Sequence, residues 1–142
     1  MMVQRLVAVG LALGLGLSNA GAASLRVSPT GLDLRGGTAA STIRVWNEEK
    51  APVSVQVRIF RWTKVGGKDR FEATTDVVVS PPLTKLAGGS ENLIRVVRVT
   101  KRPLGEEENY RLMVDQLPSA KRPAAGTVNI VVRHSIPVRF AP

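Results

Sequence analysis

Cysteine is absent from all 142 residues, which removes disulfides, thiolate metal sites and cysteine nucleophiles together. Histidine occurs once, as His134, so a multi-histidine metal centre lacks its usual parts. Aromatic residues are few, three Phe, two Trp and one Tyr, and they form no stacking platform for nucleobases. Acidic residues are outnumbered, 11 against 20 Lys and Arg, for a formal net charge of +9. The cations are scattered without a dense basic run, so the excess reads as a solvated basic surface, open to acidic protein partners or anionic surfaces and not to nucleic acid.

Long hydrophobic runs are missing too. The one candidate, Leu6 to Leu17, follows the short basic stretch Met1 to Arg5 and precedes "SNAGAAS". It is about half of the roughly 20 residues that a membrane-spanning helix needs. With Ala20 and Ala22 in a small-x-small pattern, residues 1–22 read as a signal peptide cleaved after Ala22 or Ala23, and the chain as exported. Residues 23–142 are then one domain of about 120 residues, large enough for a real core and obliged to be stable without disulfides.

What is present, from Leu25 onward, is a succession of short strands. "LRVSPTGLDL" (25–34) alternates loosely and breaks at Pro29, as edge strands tolerate. "STIRVWN" (41–47) puts Ile43 and Val45 on one face, and "VSVQVRIFRW" (53–62) sets Val53, Val55, Val57 and Ile59 against Ser54, Gln56 and Arg58. Gly66 and Gly67 mark a turn or hairpin tip, as do Gly36-Gly37 and Gly88-Gly89 elsewhere. "TDVVVSPP", "LIRVVRV" (93–99) and "NYRLMVDQLP" (109–118) follow. The last strand, "TVNIVVRHSIPVRF" (127–140), carries an apolar row at even positions, Val128, Ile130, Val132, Ile136, Val138 and Phe140, interrupted only by His134. About seven strands with no sustained helical period predict an all-β, immunoglobulin-like antiparallel sandwich. A long strand this near the end of the sequence is expected at a sheet border, where unpaired backbone groups invite another chain.

Candidates for catalysis do not assemble. His134, within an apolar row, reads as a hydrogen-bonded structural or interface residue. Glu106, Glu107 and Glu108 are consecutive and read as a charged turn, not an acid–base pair. Ser28, Ser41 and Ser135 lack a neighbouring base. The sequence therefore predicts a binding protein with no catalytic residues, no metal, no cofactor and no small-molecule substrate.

Several stretches resemble one family. "SPPLTKLAGGSENLIRVVR" (80–98), "ENYRLMVDQLP" (108–118), and "LRVSPTGLDL" with "VWNEEKAPVSVQVRIFRW" resemble the N-terminal domain of periplasmic pilus chaperones of the chaperone-usher pathway. "SIPV" and "FRW" look most like the archaic branch of that family. The resemblance implies a non-enzymatic, periplasmic binder of pilus subunits that delivers them to an outer-membrane usher. It also implies a cis bond at the Pro81-Pro82 pair. In this family the G strand lends alternating apolar side chains to an incomplete subunit, a β-augmentation; matched by position, those residues are Val128, Ile130 and Val132. Periodicity alone equally allows the row to pack in the domain's own core. A stand-alone secreted β-sandwich, structural or adhesive, is the alternative function.

The family's usual carboxylate anchor, an Arg on the first strand and a Lys late in the G strand, falls here on Gly31 and Pro137. A buried carboxylate still requires a cation, and the candidates are Arg111, Arg133 and Arg139, with Arg111 preferred. The resemblance further implies a second immunoglobulin-like domain, for which these residues leave no room.

Overall fold

The computed structural model describes residues 25–119, 125–126 and 130–142. The expected leader and Val128 lie outside the described residues. Ten strands and no helix are present among them: β1 (Leu25–Ser28), β2 (Leu32–Arg35), β3 (Ala40–Asn47), β4 (Val53–Val65), β5 (Lys68–Ala73), β6 (Val77–Ser80), β7 (Leu83–Leu86), β8 (Glu91–Arg98), β9 (Glu108–Gln116) and β10 (Arg133–Ala141).

They form two sheets, one of four strands in the order β1-β3-β8-β6 and one of six in the order β2-β10-β9-β4-β5, with β7 also pairing β4. The period-two alternation read from the sequence is what closes them. Ile43 and Val45 of β3, Val55 and Val57 of β4, Ile94 and Val96 of β8 and Leu112 and Val114 of β9 all turn inward and are buried. Their polar neighbours face out, giving one continuous core between the layers.

Three expectations are revised. "LRVSPTGLDL" is two strands on different sheets. After Ser28 the chain crosses over, so β1 pairs β3 antiparallel while β2 pairs β10 in parallel. One ladder of the predicted antiparallel sandwich is therefore parallel, as a crossover connection permits. β5 is an additional strand, antiparallel to β4 from Val65↔Lys68 to Phe60↔Ala73, across a two-residue turn in which Gly66 and Gly67 have φ of 59° and 77°. Two successive positive φ values fit a hairpin turn whose twist matches that of its strands, and glycine adopts them at least cost. Finally, Glu108 is no turn residue: it opens β9 and is buried. The Ser28–Pro29 and Ser80–Pro81 bonds are cis, the second at the proline pair where a cis bond was expected.

Asn47 ties two loops to the end of the core. Its buried Nδ2 lies 2.9 Å from Ala51 O and 3.2 Å from Leu86 O, and its Oδ1 accepts from Glu49 N at 3.0 Å. Gly88 packs flat against the same turn; a Cβ there would overlap the Lys50 carbonyl.

Candidate functional site

β10 begins as a border strand and ends inside its sheet. On one side β9 runs antiparallel to it from Arg133↔Asp115 to Phe140↔Glu108. On the other side β2 covers only Val138 to Ala141. Among the described residues, no strand lies on that second edge from Arg133 to Pro137.

The direction of the backbone groups follows from the ladder. Gln116 N donates to Val132 O at 2.9 Å, so even-numbered residues of β10 bond to β9 and odd-numbered ones aim their N–H and C=O the other way. Arg133, Ser135 and Pro137 therefore present their backbone groups to the vacant edge. Pro137 is tolerated there because its missing N–H costs β9 no bond. A Cβ at Gly31, just before β2, would stand 3.6 Å from Pro137 Cγ, so the two positions of the family's usual anchor are neighbours at the point where β2 begins.

The apolar row divides at the start of the strand. Ile136, Val138 and Phe140 are buried, Phe140 meeting Tyr110 edge-on with ring centroids 5.8 Å apart. His134 reaches the opposite sheet, its Nε2 2.7 Å from Leu25 O, a hydrogen-bonded linking role. Val132 is half-buried against the core. Ile130 shares that inward parity but lies beyond the last core residue and is 59% exposed. Val131 points the other way and is also exposed.

The three candidate cations share the outer face of the six-stranded sheet but occupy separate rungs. Arg139 is opposite Asn109, Arg111 opposite Pro137 and Arg133 opposite Asp115. Two of them already hold carboxylates. Arg139 donates to Asp33 at 2.9 and 3.1 Å and to Glu107 at 2.8 Å; its hydrogen bond holds the Asp33 carboxyl below the usual range. Arg133 donates to Asp115 Oδ1, whose Oδ2 accepts from Arg58 at 2.7 Å. Burial pushes the Asp115 carboxyl up, and the two arginines outweigh it, leaving it lowered.

Arg111 differs from both. Its guanidinium lies 4.2 Å from the centroid of Trp62, its buried Nε has no hydrogen-bond partner, and it makes no ion pair among the described residues. The aromatic face satisfies part of the positive charge and turns the head group toward β4, away from the vacant edge. Trp62, Arg58 and Asp115 went unremarked in the sequence as site residues. Their outward parity on β4 and β9 was readable, but their convergence needs the pairing of Gln56 with Asp115 and of Phe60 with Arg111. Among the described residues no group of His, Asp and Glu could hold a metal ion, and no helix is long and apolar enough to cross a membrane.

Comparison with known proteins finds the family described as pili and flagellar-assembly chaperone, PapD N-terminal domain, matching residues 24–142. No curated protein matches the sequence. Among solved structures, the chain is similar to one from the CsuC–CsuE chaperone–tip adhesion subunit pre-assembly complex of the archaic chaperone-usher Csu pili of Acinetobacter baumannii. There the identity is 29% and the TM-score 0.72, over 84% of this chain and 52% of that one. It shares the fold of a chain from the Salmonella enterica SafA pilin–SafB chaperone complex, at 22% identity and TM-score 0.66 over 84% and 54% of the two chains. The E. coli chaperone DraB has the same fold at 24% identity and TM-score 0.62, over 84% and 55%. This chain spans about half the length of each.

Proposed function

The chain belongs to the pili and flagellar-assembly chaperones, matching their N-terminal domain, and from that premise we propose that it captures incomplete pilus subunits by lending them the beginning of β10. The observation that carries this reading is the vacant edge of β10 from Arg133 to Pro137, preceded by the exposed Ile130 on the core-facing parity. Backbone groups on that edge supply the ladder for an added strand, and Val128, Ile130 and Val132 supply its apolar side chains. Each side chain buried in a subunit groove contributes about 1.5–3 kcal/mol.

β2 occupies the edge from Val138 onward, so a strand laid alongside β10 in the direction of β2 ends with its C-terminus at Gly31 and Pro137. Arg111 stands opposite Pro137 on the next strand, without an anion of its own. It receives the subunit's terminal carboxylate in this reading, after swinging off Trp62. The chaperone works in the periplasm after removal of residues 1–22, binds without catalysis, acts with a second domain, and hands its cargo to an outer-membrane usher. Similarity to the Csu complex favours the archaic branch.

A stand-alone secreted sandwich would bury the whole row within itself. Ile136 and Val138 are buried in that manner, and Ile130 is not. The test compares Ile130→Asp with Ile136→Asp in the full chain, reading thermal unfolding and co-purification of a co-expressed pilus subunit. Ile130→Asp is expected to fold and lose capture by much more than tenfold, whereas Ile136→Asp unfolds. An unfolded Ile130→Asp protein, or a folded one that captures normally, overturns the reading.

A further inference from the structure

At the point where β10 leaves the sandwich, Asp115 stands between two arginines. Its side chain is only 9% exposed, against 64% for Arg133 and 42% for Arg58. Each oxygen has its own guanidinium, Oδ1 taking Arg133 Nε and Oδ2 taking Arg58 Nη2. The contact runs across β4, β9 and β10, because Asp115 is the register partner of both Arg133 and Gln56. Upstream of it the ladder continues, among the described residues, by the backbone bond from Gln116 N to Val132 O. Ile130 and Val131 lie outside the strand, and Val131 lines, with Gln56, Arg58 and Asp115, an open hollow of about 400 Å³.

From Ile136 onward the buried row Ile136, Val138 and Phe140 fixes the register of β10 on β9, but the lead-in before His134 has no such row. Ile130, Val131 and Val132 are three consecutive apolar residues, so a local bulge that shifts them by one place against β9 exchanges Val131 for its neighbours on the core-facing side with little loss of apolar contact. Each such shift reverses which side chains face the core. A charge-assisted bond to a nearly buried carboxylate is directional and has one partner position, which the apolar triplet lacks.

We propose that Asp115, clamped by Arg58 and Arg133, is a positioning residue that fixes the register of the lead-in to β10, residues 130–133, on β9 and so decides that Ile130 and Val132, and not Val131, are presented to the subunit. The inference rests on the strand-lending reading, but its test needs no subunit. The chain has no cysteine, so an introduced pair reports register directly. Gln116→Cys with Val132→Cys places both thiols on one face of adjacent strands in the native register, within reach of a disulfide. Gln116→Cys with Val131→Cys does so only after a one-place slip.

Brief oxidation of the full chain should cross-link the 116–132 pair in strong preference to the 116–131 pair. Adding Asp115→Asn should lower that ratio by about tenfold or more, as loss of a charge-assisted contact does, and Asp115→Glu should restore most of it. An unchanged ratio in folded Asp115→Asn overturns the proposal. If Asp115→Asn fails to fold, Arg133→Gln, altering a mostly exposed side chain, decides in its place: a lowered ratio supports the clamp and an unchanged one refutes it. Loss of register with intact capture by Ile130→Asp would separate a failure of the strand-lending reading from a failure of the clamp.

Discussion

Arg98 holds Glu108 fork to fork, Nε to Oε1 at 3.0 Å and Nη2 to Oε2 at 3.1 Å. Tyr110 donates its hydroxyl to the same Oε1 at 2.8 Å, and Arg61 and Arg102 approach at 3.5 Å. Pairing with Arg98, reinforced by Tyr110 and opposed by burial, lowers the Glu108 carboxyl from 4.5 to about 2.

A folded-state value below the unfolded one means stability that is fully present above pH 4.5 and lost as the pH falls through about 2. The domain should therefore lose about 3 kcal/mol between those limits from this carboxylate. Glu108→Gln should flatten that acid limb while costing about 3–5 kcal/mol at neutral pH, because Arg98 is left buried without its anion. Chemical denaturation across the acid range measures both; an acid limb unchanged in Glu108→Gln refutes the assignment.

Gly88→Ala is expected to destabilise the domain by about 2 kcal/mol or more, since the new methyl meets the Lys50 backbone and not a flexible side chain. Gly105 has open space around it, so Gly105→Ala should stay within about 0.5 kcal/mol. Equal denaturation midpoints for the two variants would show that the 49–51 turn yields freely.

Arg111→Ala should leave the fold intact, losing about 1 kcal/mol with the Trp62 contact, and should reduce subunit capture by about tenfold or more, because a desolvated carboxylate without its cation is costly. Co-purification beside a thermal melt reads both. Undiminished capture moves the anchor to Arg133, Arg139 or residues outside this domain.

Strands with one apolar face were legible in the sequence because alternation and burial are the same fact seen twice: Val53, Val55 and Val57 could only be one face of β4. β5 was not, since "KDRFEA" is exposed along its whole length and carries no alternation; only Gly66-Gly67 announced a partner for β4. Glu108 was misread for a related reason. Its burial is licensed by Arg98 of the facing sheet and by Tyr110, two residues on, and a charged residue's partner in the facing sheet leaves no local trace. The row on β10 was visible as a row, but its division into core and overhang depends on where the core ends, which is a property of both sheets. Arg111 as a cation near Pro137 followed from antiparallel order. That Trp62 occupies its face, while Asp33 and Asp115 occupy the rivals, did not.

The parallel pairing of β2 with β10 joins residues 32–35 to residues 138–141, nearly the two ends of the domain. Contacts of such long sequence separation form late and slowly. The six-stranded sheet thus cannot take up β2 until residues 138–141 are in place. If β10 lends its edge as proposed, a subunit meets it only on a sandwich already closed end to end.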